Sequence, residues 1–221
     1  MKFVSNKLLL PSLVFFFSFK VFANTAMPGF LQAYWMPVWE DNNNDPALMF
    51  RFFEVNDTNK VVKVINLSGS SLNEKLVNEK FYNIPKEFFK FHEGYVNQYG
   101  KLDYGSISVY EECDNKIFNA KLIAFTPFRN PPDINPDEKG CDSYPYLLTY
   151  QLKDGVNKIY LKSKPIADAS NLVEILSGNS LVKIKTLDNG WYYVANYDES
   201  KPGAIGVSKG YVKADELAPV N

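Results

Sequence analysis

The chain has 221 residues, of which 46% are hydrophobic and 15% are aromatic. This composition is ample for a globular core and excludes an intrinsically disordered chain, and the length suits two small domains. The 24 basic and 25 acidic residues are interspersed along the sequence, whereas binding to nucleic acid or to anionic lipid depends on a basic surface. We therefore expect neither of these partners.

The first 23 residues have the layout of a secretory signal peptide. Lys2 and Lys7 precede an apolar run, and Val21 and Ala23 stand three and one positions before the expected cut. The rival interpretation, a membrane anchor, is disfavoured because the run is too short to cross about 30 Å of hydrocarbon. No cysteine near the cut could carry a lipid, and no later segment is apolar enough to span a bilayer. We expect a mature chain that begins at Asn24 and is periplasmic or secreted, with no transmembrane segment after cleavage.

Removal of this leader takes three lysines and no acid, which leaves 21 basic against 25 acidic residues.

From residue 30 to about residue 151, short segments alternate apolar or aromatic residues with polar ones, which predicts β-strands. Residues 47–55 and 60–65 flank a turn-forming tetrad, so this pair is predicted to form a β-hairpin. Further strands are predicted at residues 106–111, 121–125 and 146–152.

Two helices are predicted between the hairpin and the later strands. In residues 71–82, apolar side chains recur at roughly helical spacing. Ser71 and Glu74 have the spacing of a capping box, in which the two side chains satisfy backbone N–H groups at the start of a helix. A second short helix is expected after Pro85 and through Phe91.

The two cysteines, Cys113 and Cys141, are predicted to form a disulfide. An isolated pair in an exported protein is usually oxidised. The bridge would close a loop of about 27 residues and stabilise the fold by roughly 3–4 kcal/mol on the chain-entropy model. The alternative, a reactive thiol or a metal-binding pair, is weaker because His92 is the only histidine and no CxxC is present.

The last third of the chain contains four short motifs in a fixed order. They are IYLKSKP at residues 159–165, LSGN at 176–179, DNGWYYV at 188–194 and KGYV at 209–212. Gly178 suits a tight turn, and Asn189-Gly190 between alternating runs is a strong hairpin signal, so antiparallel β-structure is predicted from the residues alone. In this order the motifs resemble a bacterial SH3 (SH3b) domain, over about residues 157–219.

The resemblance implies a small β-barrel that binds a protein, a peptide or a cell-wall component in the bacterial envelope, with no chemistry of its own. Lys162 replaces the arginine common in the family, and Tyr211 stands where many members have tryptophan. The candidate ligand-binding residues are Trp191, Tyr193 and Tyr211. Trp191 and Tyr193 alternate onto one face of their strand, and if Val194 marks the core, Trp191 is left partly exposed.

Catalytic motifs are weak in this sequence. A Cys/His dyad or a Ser/His/Asp triad would have to use His92, and no Gly-x-Ser-x-Gly elbow is present. The acid pairs Glu111-Glu112 and Glu40-Asp41 could serve a glycosidase only if both side chains faced one site, whereas adjacent strand residues face opposite ways. We therefore predict that the protein is not an enzyme.

Two other segments are weak binding candidates. Residues 41–45 imitate the first ligands of a calcium loop, but Pro46 replaces the required glycine and the bidentate glutamate is missing, so a solvated loop is favoured. Tyr34, Trp35 and Trp39 could form an aromatic platform, but a strand that buries alternate large side chains has the same pattern, and core packing is favoured. No metal or other cofactor is predicted.

These patterns predict a mainly β protein with α+β character in its N-terminal part. Residues 1–23 are the signal peptide, residues 24–152 a β-rich domain with one or two helices and no recognised family, and residues 157–219 an SH3-like β-barrel. The connection is so short that the two domains should touch. The expected function is non-catalytic binding in the envelope. The alternatives are an inhibitor or toxin-immunity protein that acts on an envelope enzyme, and a cell-wall hydrolase.

We predict that the mature protein contains one disulfide, between Cys113 and Cys141. Intact-mass analysis after alkylation should show two modified thiols only when the protein has first been reduced, because oxidised sulfurs do not react. Two labelled thiols in the folded, unreduced protein would contradict the bridge.

Overall fold

The computed structural model describes residues 24–37, 46–112, 115–134 and 144–220. Within these residues, twelve β-strands form two sheets, and two α-helices lie between the third and the fourth strand. The fold is therefore mainly β, as predicted. No helix among them is long and apolar enough to cross a membrane. Several predictions concern residues outside the described ranges and stay predictions: the signal peptide, the 41–45 loop, Trp39, Glu40 and both cysteines.

The first sheet closes into a five-stranded barrel. Its strands are β1 (Asn24–Met36), β2 (Ala47–Val55), β3 (Val61–Ser68), β4 (Tyr95–Glu112) and β5 (Asn115–Pro127). They are joined in the order β1-β2-β3-β5-β4, with β3 and β5 parallel and the other neighbours antiparallel. The predicted hairpin and the predicted strands at residues 106–111 and 121–125 are confirmed.

Both faces of β1 and β2 are buried, which explains why these strands carry runs of large apolar residues. Inside the barrel, Leu31 and Phe52 belong to the main core. On the outside, Phe30 and Phe53 form a second cluster, against which Ile134 of the segment after β5 packs. Polar side chains on this covered outer face therefore need hydrogen-bond partners.

The chain leaves β3 through α1 (Glu74–Lys80). Asn73 caps this helix, since its side-chain oxygen accepts a hydrogen bond from the Leu76 amide at 3.2 Å. The predicted capping box at Ser71 was therefore wrong, because the cap lies two residues later. Val77 is fully buried and is part of the barrel core.

The second helix, α2 (Lys86–Phe91), begins directly after Pro85, as predicted. It ends at His92, whose backbone is left-handed with a φ of 48°. Gly94 also has a positive φ, 76°, so the chain turns sharply before it enters β4. Glu93 lies between these two residues and is held in the turn at the start of β4.

The second sheet has seven strands. They are β6 (Thr149–Leu152), β7 (Lys158–Lys162), β8 (Asn171–Leu176), β9 (Leu181–Thr186), β10 (Trp191–Tyr197), β11 (Ile205–Lys213) and β12 (Leu217–Pro219). Their order is β12-β6-β9-β10-β11-β7-β8, with antiparallel pairs throughout. The predicted turns at Gly178 and Gly190 are confirmed, and both glycines have positive φ, 89° and 76°.

The strand β6 belongs to the second sheet, although the sequence analysis placed residues 146–152 in the N-terminal domain. It pairs with β9 on one side and with β12 on the other. The chain reaches β12 through the 3₁₀ helix Ala214–Glu216, and the Lys153 amide donates to the Glu216 carbonyl at 3.1 Å. The predicted placement of this strand was therefore wrong, because its pairing partners lie far away in the sequence.

Two glycines of β4 differ in the space around them, and this difference predicts the effect of adding a methyl group. A Cβ at Gly100 would overlap the Thr126 carbonyl and lie 2.6 Å from the Phe125 ring, whereas a Cβ at Gly105 would have no neighbour nearer than 3.8 Å. We expect Gly100→Ala to lower the free energy of unfolding by about 1–3 kcal/mol, because the barrel wall must shift to make room.

The matched control for this prediction is Gly105→Ala. It should leave the free energy of unfolding unchanged or slightly higher, because alanine restricts the unfolded chain more than glycine does. Urea unfolding of the mature protein measures both variants. A loss of stability in Gly105→Ala as large as that in Gly100→Ala would contradict the prediction.

Candidate functional site

A partly buried salt bridge joins the two sheets. The Glu93 carboxylate accepts hydrogen bonds from the Thr186 amide and the Thr186 hydroxyl, both at 2.7 Å, and the Lys183 ammonium lies 2.8 Å from it. The Glu93 and Lys183 side chains are only 18% and 12% exposed. Because Glu93 precedes β4 and the other two residues belong to β9, this carboxylate connects the barrel to the second sheet. The predicted contact between the two parts of the chain is confirmed.

Two exposed ion pairs flank this contact. Lys185 of β9 lies 3.1 Å from Glu87 of α2, and Lys90 of α2 pairs with Asp188 in the turn after β9. The side chains of both pairs are about half exposed or more, so solvent screens their attraction. They contribute less to the connection of the two sheets than the Glu93 contact does.

The Lys183 ammonium also lies against two tyrosine rings. Its nitrogen is 5.1 Å from the centre of the Tyr192 ring and 5.9 Å from the centre of the Tyr150 ring. Burial raises the pKa of both phenols, so they stay protonated and neutral at neutral pH. One carboxylate and two neutral aromatic rings therefore surround this ammonium.

Beside this contact lies a cavity of about 840 Å³ between the two sheets, which we call the cleft. The barrel contributes residues of β1, the end of α2 and the start of β4 to its wall. The opposite wall comes from the residues before β6, from β9 and from the start of β11. Aromatic residues of both walls line it: Trp35, Phe91, Tyr95, Tyr144 and Tyr146.

Tyrosine rings form one side of the cleft. The centre of the Tyr146 ring lies 4.5 Å from that of Tyr95, 6.2 Å from that of Tyr34 and 6.3 Å from that of Tyr144. Tyr95 begins β4 and Tyr146 precedes β6, so the two parts of the chain build this side together. Tyr95 is 39% exposed, which leaves part of its ring open to solvent.

A row of polar side chains crosses the outer face of the barrel and reaches the cleft. Arg51 Nε donates to Gln32 Oε1 at 2.7 Å, and Gln32 Nε2 donates to Asn97 Oδ1 at 3.0 Å. The buried guanidinium lies between the rings of Tyr34 and Phe53, at 5.2 and 4.9 Å from their centres. Because arginine can only donate, the Gln32 oxygen accepts from Arg51, and the Gln32 nitrogen therefore donates to the Asn97 oxygen. The Asn97 amide nitrogen is left as a donor in the cleft wall.

Trp35 belongs both to the barrel core and to the cleft wall. It is 4% exposed, and the centre of its ring lies 4.3 Å from that of His92 and 5.8 Å from that of Phe88. The predicted core packing is confirmed for Tyr34 and Trp35, which are both buried. The Trp35 indole N–H has no hydrogen-bond partner in the described part of the protein. The cleft wall therefore contains a buried donor without an acceptor.

The predicted ligand-binding aromatics lie outside the cleft wall. Trp191 is only 8% exposed, so the partial exposure that we predicted for it was wrong, although Val194 does belong to the core. Tyr193 and Tyr211 are half-buried partners on β10 and β11, with ring centres 4.9 Å apart. Strand alternation shows which side chains share a face, but it does not show what covers that face. The role of these residues in binding stays a prediction.

The sequence analysis missed the cleft residues Tyr95, Asn97, Tyr144 and Tyr146. A signal for them is present, since Tyr95 and Asn97 alternate along one extended segment and Tyr144 and Tyr146 along another. Residues at alternate positions share a face of an extended chain. The sequence does not show that these two distant faces meet.

Acidic residues of the described ranges form no group that could hold a metal ion with histidine or cysteine. Glu111, from one of the weak acid pairs, is exposed on β4 and lies outside the cleft wall. Among the described lining residues of the cleft, Glu93 is the acid, and three donors of β9 already engage it.

We predict that Glu93→Ala lowers the free energy of unfolding by about 2–4 kcal/mol, because it removes hydrogen bonds to a charged group and leaves the shielded Lys183 unpaired. Glu87→Ala is the matched control, since Glu87 also bonds a β9 lysine but is exposed, and it should change the urea midpoint little. Equal losses of stability in the two variants would contradict the conclusion that Glu93 is the stronger contact between the two sheets.

Comparison with known proteins does not identify a family for this chain. No family model, no curated protein and no solved structure matches it significantly. The function must therefore be argued from the chemistry of the cleft.

Proposed function

We propose that this protein is an exported, non-catalytic binding protein of the bacterial envelope, which holds a protein, peptide or cell-wall ligand in the cleft between its two sheets. The observation that carries the proposal is the cleft itself. A volume of about 840 Å³ and aromatic walls with few polar groups are typical of ligand pockets. Such pockets often lie between two structural units.

The polar groups of the cleft favour binding over catalysis. A general base must have an oxygen or nitrogen that can take a proton from a substrate. The Glu93 carboxylate already accepts from Thr186 and Lys183, and the His92 ring packs against Trp35. These contacts occupy both oxygens of the Glu93 carboxylate, so the acid of the described cleft wall is already engaged within the protein.

The architecture of both parts supports a binding role by analogy. The strand order of the barrel, with the helices between β3 and β4, resembles that of OB barrels, which bind oligonucleotides and oligosaccharides. In the second sheet the last strand, β12, pairs with the first, β6, and the SH3-like character of this part rests on the sequence resemblance over about residues 157–219. Export to the envelope is inferred from the signal layout and from the SH3b resemblance.

Cosedimentation of the mature protein with isolated envelope fragments, which contain cell wall and bound proteins, tests this function. We expect Tyr146→Ala to weaken retention at least tenfold, because truncation of an aromatic anchor in a desolvated pocket typically has an effect of this size. Tyr110→Ala is the control, since Tyr110 is exposed on β4 outside the cleft wall, and it should be retained like the unmodified protein.

Thermal unfolding of each variant separates lost binding from lost folding. Retention of Tyr146→Ala at the level of the unmodified protein would contradict the cleft as the binding site. If Tyr193→Ala or Tyr211→Ala then lost retention, the ligand would be placed on the surface of the second sheet instead.

A further inference from the structure

Among the described residues that line it, the cleft offers hydrogen-bond donors and aromatic rings but no unpaired carboxylate or ammonium. We infer that its ligand is an uncharged saccharide, which packs against Tyr95 and Tyr146 and accepts hydrogen bonds from Asn97 and Trp35. This inference rests on the proposed function and names the class of ligand for the same site.

The balance of charge in the cleft wall disfavours an ionic ligand. Among the described residues that line the cleft, the carboxylate is that of Glu93 and the ammonium is that of Lys183, and they neutralise each other at 2.8 Å. Thr186 and the Tyr192 ring occupy further sides of this pair. A phosphate, a carboxylate or an ammonium in the ligand would have to break the pair to gain a partner of its own.

Two polar groups of the wall, on Asn97 and Trp35, are donors. The row from Arg51 through Gln32 turns the Asn97 oxygen towards Gln32, so the Asn97 amide nitrogen, which makes no hydrogen bond within the described residues, is presented as N–H. The buried Trp35 indole N–H is also without an acceptor there. A ligand rich in acceptor oxygens and free of charge satisfies both groups.

The aromatic side of the cleft favours a ring-shaped ligand with an apolar face. The Tyr95 and Tyr146 rings are inclined to each other by 36°, and Tyr144 extends the same side of the cleft. Sugar rings combine an apolar C–H face with hydroxyl and ring oxygens at the edge, so they can pack on tyrosine and accept hydrogen bonds at once. The competing occupant, a peptide with charged ends, lacks this combination and brings charges for which the described lining residues offer no unpaired carboxylate or ammonium.

Titration calorimetry of the mature protein with the uncharged N-acetylglucosamine tetramer and with maltotetraose tests the ligand class. At least one of the two should bind with a Kd of about 1 mM or tighter. The anionic tetramer of galacturonic acid is the control of similar size. It should bind at least tenfold more weakly, because its carboxylates would have to break the Glu93–Lys183 pair to gain a partner.

Asn97→Asp tests the donor role. Aspartate keeps the size of the side chain and the oxygen that faces Gln32, but it replaces the amide donor by an acceptor. We expect saccharide binding at least tenfold weaker, with thermal unfolding as the check of folding. Asn119→Asp is the matched control, because Asn119 is a half-buried strand residue outside the cleft wall, and it should bind like the unmodified protein.

A second variant, Trp35→Phe, keeps an aromatic ring but removes the indole donor together with one of its two rings, so it should also weaken saccharide binding. Thermal unfolding again checks folding, because Trp35 packs in the barrel core. Failure of both uncharged tetramers to bind, equal or tighter binding of the galacturonate tetramer, or unchanged binding by both variants would overturn the inference. The Tyr146→Ala experiment with envelope fragments decides separately on the proposed function. Retention that depends on Tyr146 would then assign the cleft to a peptide or protein ligand.

Discussion

The carboxylate of Glu93 is the contact on which the arrangement of the two sheets depends. Thr186 donates to it through backbone and side chain, and Lys183 balances its charge. These donors replace the water that a shielded carboxylate loses. Without such donors, burial of the charge would be unfavourable. The contact requires a sharp turn, in which His92 adopts a left-handed backbone that is unfavourable for a residue with a side chain. The cleft lies beside this contact, so its width depends on the same interaction.

The outer face of the barrel shows how a buried polar group can prepare a surface for binding. Arg51 and Gln32 are buried, and hydrogen bonds are donated in one direction, from Arg51 to Gln32 and from Gln32 to Asn97. The same strand β1 supplies Trp35 to the barrel core and to the cleft wall. The wall of the cleft is therefore stiffened by the packing that stabilises the barrel, and little ordering of its side chains is needed on binding.

Much of the secondary structure could be predicted from the sequence, because it depends on neighbouring residues. The hairpin of β2 and β3 follows from two alternating segments and from Asn56, whose side chain accepts hydrogen bonds from the Thr58 and Lys60 amides. The start of α2 follows from Pro85, and the turn before β10 follows from Gly190, which adopts positive φ without a side chain in the way. In each case the deciding contacts lie within a few residues of each other.

The tertiary structure decided which of these elements meet. It placed β6 in the second sheet, buried Trp191 where alternation alone predicted exposure, and brought Tyr95 and Tyr146 together across the cleft. It also joined Glu93 to Lys183, two residues that no local pattern connects. The sequence by itself determined local elements such as the β2–β3 hairpin and the turn at Gly190, because these depend on neighbouring residues. Only the folded chain decided the partners of each strand and the cover of each face, because pairing and burial are contacts between distant segments.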